Sequence, residues 1–177
     1  MYEESHRIPL IVRYPGVAKA GSTSSLIVNN SDLAPTLIQM GGHQSVPDYM
    51  QGHSLLPILQ GKPPADWRTA TYYRYWMHMA HHDNPAHYGI RTREYKLIFF
   101  YGLPLDAPGA QSRPTQPGWE LYDLRHDPHE MENVYGQPSY RLVGEELKQQ
   151  LLDLKEKLGD RDEKYPELMR VRERFWN

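Results

Sequence analysis

Residues 72–101, YYRYWMHMAHHDNPAHYGIRTREYKLIFFY, set His78, His81, His82 and His87 around an Asp83-Asn84-Pro85 turn, with Arg91 close behind. Imidazole, amide and guanidinium donors beside tyrosine and tryptophan rings suit a hydroxyl-rich or anionic ligand, because charged forks grip oxyanions while aromatic rings cover sugar faces. A carbohydrate or sulfated ligand fits this composition. His78, His81 and His82, at i, i+3 and i+4, would share one side of a helix, a spacing that can hold zinc. The Asp83-Asn84-Pro85 turn ends any helix at once, and the aromatic residues upstream favour extended chain, so no metal site is expected here. The other titratable groups carry less. Glu3, Glu4, Ser5, His6 and Arg7 lack a nucleophile elbow and read as a solvated approach to a strand. His43, His53, His126 and His129 are scattered and read as surface residues, and Glu145 and Glu146 as a solvated helix face. No glycine-rich phosphate loop is present.

The histidine loop needs rigid flanks. Residues 72–76 and 99–101 are aromatic and β-prone, so the loop is expected at a sheet end, where ligand-contacting residues concentrate. Four strands are expected, at residues 69–77, 88–92, 95–101 and 119–123, with antiparallel pairing because their connections are short. A tight hairpin through residues 91–96 should bring Arg91 and Lys96 together. Val143, Leu147, Leu151, Leu154 and Leu158 form an apolar stripe at helical spacing, which predicts a long helix lying on the sheet. Asp127-Pro128-His129-Glu130 reads as a local turn of helix. The segment 159–177 is highly charged, but Leu168, Val171, Phe175 and Trp176 offer docking positions.

Nearer the N-terminus, residues 8–13, IPLIVR, read as a buried strand stopped by Tyr14-Pro15-Gly16. Polar residues 29–32 precede a helix marked by Leu33, Leu37 and Met40 and ended by Gly41-Gly42, and Pro35 is tolerated in its first turn. Residues 52–59 read as a short helical turn. The stiff stretch Gly61-Lys62-Pro63-Pro64 marks a domain boundary, placed near Asp66.

Composition narrows the partners. Lys+Arg 20 against Asp+Glu 22 gives a net charge of −2, so no global basic field recruits nucleic acid or an anionic membrane. No run approaches the ~18 apolar residues of a membrane span, and the N-terminus lacks the layout of a secretory signal. Apolar residues make up 39% of the 177, enough for a core. With no cysteine, disulfides, thiolate metal sites and cysteine nucleophiles are excluded.

In order and spacing, the segments YEESHRIPLIVRYPG, NNSDLAPTLIQMGG, QGHSLLPIL, HYGIRTREYKLIFFY and WELYDLRHDPHEMENV resemble the C-terminal portion of a type I sulfatase, of the alkaline-phosphatase-like superfamily. The resemblance implies an α/β fold with an α+β C-terminal part. Residues 1–66 would be the end of the catalytic α/β domain, and residues 67–177 a four-stranded antiparallel sheet packed by one long helix. Members hydrolyse sulfate esters with a formylglycine, made from C/S-x-P-x-R, beside a bound calcium ion. That motif is absent, since Ser45-Val46-Pro47-Asp48-Tyr49 matches its start but lacks the arginine. The resemblance therefore implies that formylglycine, calcium and the catalytic residues belong to an N-terminal catalytic portion, this chain's main partner. No catalytic or metal residue is assigned here, and the chain alone is expected to be inactive.

In relatives acting on glycosaminoglycans, a loop of the C-terminal subdomain contacts the sugar. His82 and His87 match it best, followed by Asn84 and His81, with Arg91 as a further substrate-binding candidate. A histidine five residues before the HYGIRT block resembles relatives acting on 6-sulfated glucosamine. The expected function is thus substrate binding within a sulfatase acting on sulfated carbohydrate. The alternatives are a phosphate or phosphonate ester hydrolase of the same superfamily and a non-catalytic carbohydrate-binding module. The resemblance also implies a periplasmic or secreted location.

Overall fold

A computed structural model describes residues 1–177 and divides into two compact units, Ile8–Thr71 and Met1–Arg7 with Tyr72–Asn177. No helix is long and apolar enough to cross a membrane.

The Ile8–Thr71 unit is organised around one carboxylate. Asp32 is fully buried just before helix α2, Leu33–Met40. Its oxygens accept from both Arg68 Nη atoms, at 2.5 and 2.7 Å, and from the backbone N–H of Asn29 and His53. These partners hold its carboxyl below the ordinary range against the opposing effect of burial. Thr36 relays the order onward by accepting from the Leu55 N–H ahead of the short helix α3, Leu56–Leu59. Residues 8–13 depart from expectation. They form no strand, and Ile8 and Ile11 are 73% and 91% exposed. A strand exists only through a neighbour's backbone groups, and the sheet of this molecule contains four other segments and not this one.

Those four are β1 (Ala70–Tyr75), β2 (His87–Thr92), β3 (Tyr95–Phe100) and β4 (Gly118–Asp123), in the spatial order β1-β2-β3-β4. The pairs β2–β3 and β3–β4 are antiparallel, and the hairpin register sets Arg91 opposite Lys96 as the sequence predicts. Thr92 fixes that turn by accepting from the Glu94 and Tyr95 N–H groups.

Side chains alternate across the sheet and give it two different faces. Tyr88, Ile90, Leu97, Phe99 and Leu121 are buried on one, each contributing roughly 1.5–3 kcal/mol by leaving water. Helix α4, Arg141–Leu158, packs there through buried Leu147 and Leu151, until Gly159 ends it at φ 72°. Lys155 on the same helix face is buried too, and its Nζ lies 2.8 Å from Asp162 Oδ1. The charged tail supplies a further helix, α5 (Pro166–Phe175), which docks by fully buried Leu168. The expected helical turn at residues 127–130 is instead a hydrogen-bonded turn. Glu130 takes φ 56°, which breaks a helical path, and its carboxylate goes inward.

The other face is covered by residues 1–6, in which Glu3–His6 form a single helical turn, α1. Met1 packs with Ile98 and Tyr122. Gly89 is required beneath it, since a Cβ there would stand 2.3 Å from Leu97 O and 2.8 Å from Met1 Sδ. The expectation of a solvated approach at residues 3–7 fails for Glu3. Only 8% exposed, Glu3 meets Arg91 Nη2 at 2.9 Å and Lys96 Nζ at 2.9 Å. Lys96 also lies 2.5 Å from Glu130 Oε1, and Glu130 Oε2 accepts from the Glu3 N–H. Burial alone would raise the Glu3 carboxyl, but Arg91 and Lys96 outweigh it and hold it at about 2.

Candidate functional site

The loop between β1 and β2 carries most of the sequence candidates. Its backbone doubles back through Met79 N–H to Asn84 O (2.9 Å) and Asn84 N–H to His81 O (3.3 Å). Met79, His82 and Asp83 all sit in the left-handed region, at φ 54°, 57° and 49°. Each costs roughly 1–2 kcal/mol, so the surroundings must hold the loop in shape. His81, His82 and Asp83 are exposed at its tip and Asn84 is half-buried. The structure therefore brings three of the expected ligand contacts, His81, His82 and Asn84, onto one protruding turn. Imidazole nitrogens and a carboxamide are donors and acceptors of the kind that sugar hydroxyls and sulfate oxygens require.

His87 lies behind this turn, at the start of β2, and is fully buried. Its Nδ1–H donates to Pro85 O at 2.7 Å, and its Nε2 accepts from the Met1 nitrogen at 3.2 Å. Tyr75 stacks on the ring at 5.5 Å and Phe100 lies 4.9 Å away. Burial pushes its pKa down to about 4, so the imidazole is neutral. Half-buried His6, whose ring meets Tyr73 edge-on at 4.1 Å, is lowered to about 4 for the same principal reason. Arg91 lies at the far end of β2, where it is paired with Glu3.

His78, expected to project from the loop, is fully buried. Histidine content alone could not separate it from His81 and His82; the available signal was its setting between Met77 and Met79, whereas His81 and His82 lead into the polar Asp83-Asn84 turn. The sequence reading also missed the Glu3–Lys96–Glu130 cluster. The one available signal was a lysine in the apolar strand YKLIFF, since a charge is rarely buried without partners.

No group of three or more His, Cys, Asp or Glu side chains converges as a metal site would. The calcium of sulfatases finds no fitting donor set among these residues.

Three comparisons place this architecture. The profile of the family "N-sulphoglucosamine sulphohydrolase, C-terminal" matches residues 1–157. The N-acetylglucosamine-6-O-sulfatase of Bacteroides thetaiotaomicron is 46% identical over 164 residues, which is 92% of this chain and 27% of the relative. The human N-acetylglucosamine-6-sulfatase is 42% identical over 69 residues, covering 39% of this chain and 12% of that protein. Among solved structures, BT4656 in complex with its substrate D-glucosamine-2-N,6-O-disulfate superposes with a TM-score of 0.74 at 42% identity, covering 86% of this chain and 28% of that one. The chain thus spans about a quarter of the length of the relatives it matches over most of its own length.

Proposed function

Because the chain belongs to the N-sulphoglucosamine sulphohydrolase C-terminal family, we propose that it acts as the C-terminal part of a sulfatase and supplies contacts to a 6-O-sulfated glucosamine. The observation that carries this reading is the likeness, over 86% of the chain, to a protein bound to a glucosamine disulfate. The turn at residues 81–84 is the contact surface. His81, His82 and Asn84 hydrogen-bond the sugar, and His87 shapes the turn from below through Pro85 O. In the catalytic part of a sulfatase, formylglycine and calcium would supply the nucleophile and the electrophilic stabilisation. This chain's own residues bind and orient the substrate.

The test joins this chain to the catalytic part of the Bacteroides thetaiotaomicron relative, in place of that protein's own C-terminal portion. The chimera is expected to release sulfate from D-glucosamine-2-N,6-O-disulfate and from a small aryl sulfate. Aryl sulfate turnover without turnover of the sugar would contradict the assigned substrate.

A further inference from the structure

His78 is not among the expected ligand contacts, yet its buried ring bridges two separate segments of the chain. Its Nδ1 accepts from the Ala86 N–H at 3.0 Å, and its Nε2 lies 2.8 Å from the Arg113 carbonyl oxygen. An N–H donor facing Nδ1 and a carbonyl acceptor facing Nε2 are satisfied together by the neutral tautomer protonated on Nε2. Ala86 is itself a node, because its carbonyl accepts from both the Tyr101 and Gly102 N–H groups at 3.1 Å. Backbone bonds run parallel to the imidazole. Gln111 N–H donates to His78 O at 2.9 Å, and Gln111 Nε2 donates to Met79 O at 2.6 Å. The histidine turn is thereby tied at its base to the loop at residues 102–117. The loop between β1 and β2 holds three non-glycine residues at positive φ, and such a conformation persists only where neighbouring contacts over-determine it.

We infer that His78 is a positioning residue: it clasps the base of the turn at residues 81–84 to the loop at residues 102–117, and so fixes the direction in which His81, His82 and Asn84 face a sugar. The role rests on the recognition reading above, while the clasp itself stands on hydrogen bonds that can be measured without any ligand.

Two substitutions in the full chain separate the two bonds. His78→Asn keeps an acceptor near the Nδ1 position and removes the donor that reaches Arg113. His78→Gln keeps a donor near the Nε2 position and removes the acceptor for Ala86. In the unsubstituted chain, imidazole nitrogen shifts should report the Nε2–H tautomer. Amide exchange at Ala86 should then quicken by about tenfold or more in His78→Gln and change little in His78→Asn, while Gln111 should respond chiefly in His78→Asn. A merely structural role would lower the melting midpoint in both variants and quicken both amides alike. That result, or unchanged exchange in both, would overturn the clasp.

Titration with D-glucosamine-2-N,6-O-disulfate supplies the second arm, with the amides of residues 79–84 as readout. Shifts in the unsubstituted chain that weaken about tenfold or more in both variants support the role. Equal binding by all three chains overturns it. Absence of any shift in the unsubstituted chain overturns the recognition reading and with it the role of His78. Intact protection of Ala86 and Gln111 distinguishes that failure from loss of the clasp.

Discussion

Lys96 is the residue on which the N-terminal turn depends. It is fully buried, with Glu3 at 2.9 Å on one side and Glu130 at 2.5 Å on the other. Glu130 holds a left-handed backbone to reach it, and that conformation is unfavourable for a residue with a Cβ. Replacing Lys96 with Met fills the space but leaves the buried Glu130 carboxylate without its cation, and Glu3 with Arg91 alone. Breaking a buried ion pair on one side typically costs about 3–5 kcal/mol. Lys96→Met is therefore expected to lose about 3 kcal/mol or more in urea unfolding at neutral pH, and a loss below about 1 kcal/mol would refute this assignment. Arg91 shares the cluster through Glu3, so its guanidinium is engaged in structure at a position from which the sequence offered it as a ligand contact.

At the scale of elements, α1 and β2 bring two neutral histidines into the same interior. His6 and His87 both fall from an ordinary value of 6.5 to about 4, chiefly through burial. Unfolding lets them take up protons that the folded state refuses. Their contribution is complete above pH 6.5 and is lost as pH falls from there towards about 4. Glu3, held at about 2 from 4.5, acts in the same direction at lower pH, its share present above pH 4.5 and lost as pH falls through about 2. The thermal midpoint should thus decline steadily from pH 7 to pH 4, and a flat midpoint over that range would contradict the burial of these rings.

The same elements show how much was legible in the sequence. The four strands, their hairpin register and helix α4 follow from local alternation and helical periodicity, because each signal lies within one segment. Residues 8–13 carry an equally clear strand pattern, but a strand also needs a neighbour, which a local pattern cannot supply. The histidine turn was legible from Asp83-Asn84-Pro85. The inward position of His78 was not, because it depends on the Arg113 carbonyl in a separate loop and on the way the β1–β2 loop folds back to bring Ala86 against the ring. Glu3 was misread for a similar reason, since its partners Arg91 and Lys96 lie almost a hundred residues away.

For the molecule as a whole, the proposed function places recognition on the turn at residues 81–84 and the chemistry in a separate catalytic part. A specificity element should affect a substrate that it touches and spare one too small to reach it. The most direct measurement is made in the chimera described above, with residues 81–84 replaced by glycine and serine, comparing kcat/KM for D-glucosamine-2-N,6-O-disulfate with that for an aryl sulfate. The account predicts a fall of about tenfold or more for the sugar, the scale of one or two lost hydrogen bonds, and a change of less than about twofold for the aryl sulfate. Equal falls for both substrates, or no change in either, would contradict it.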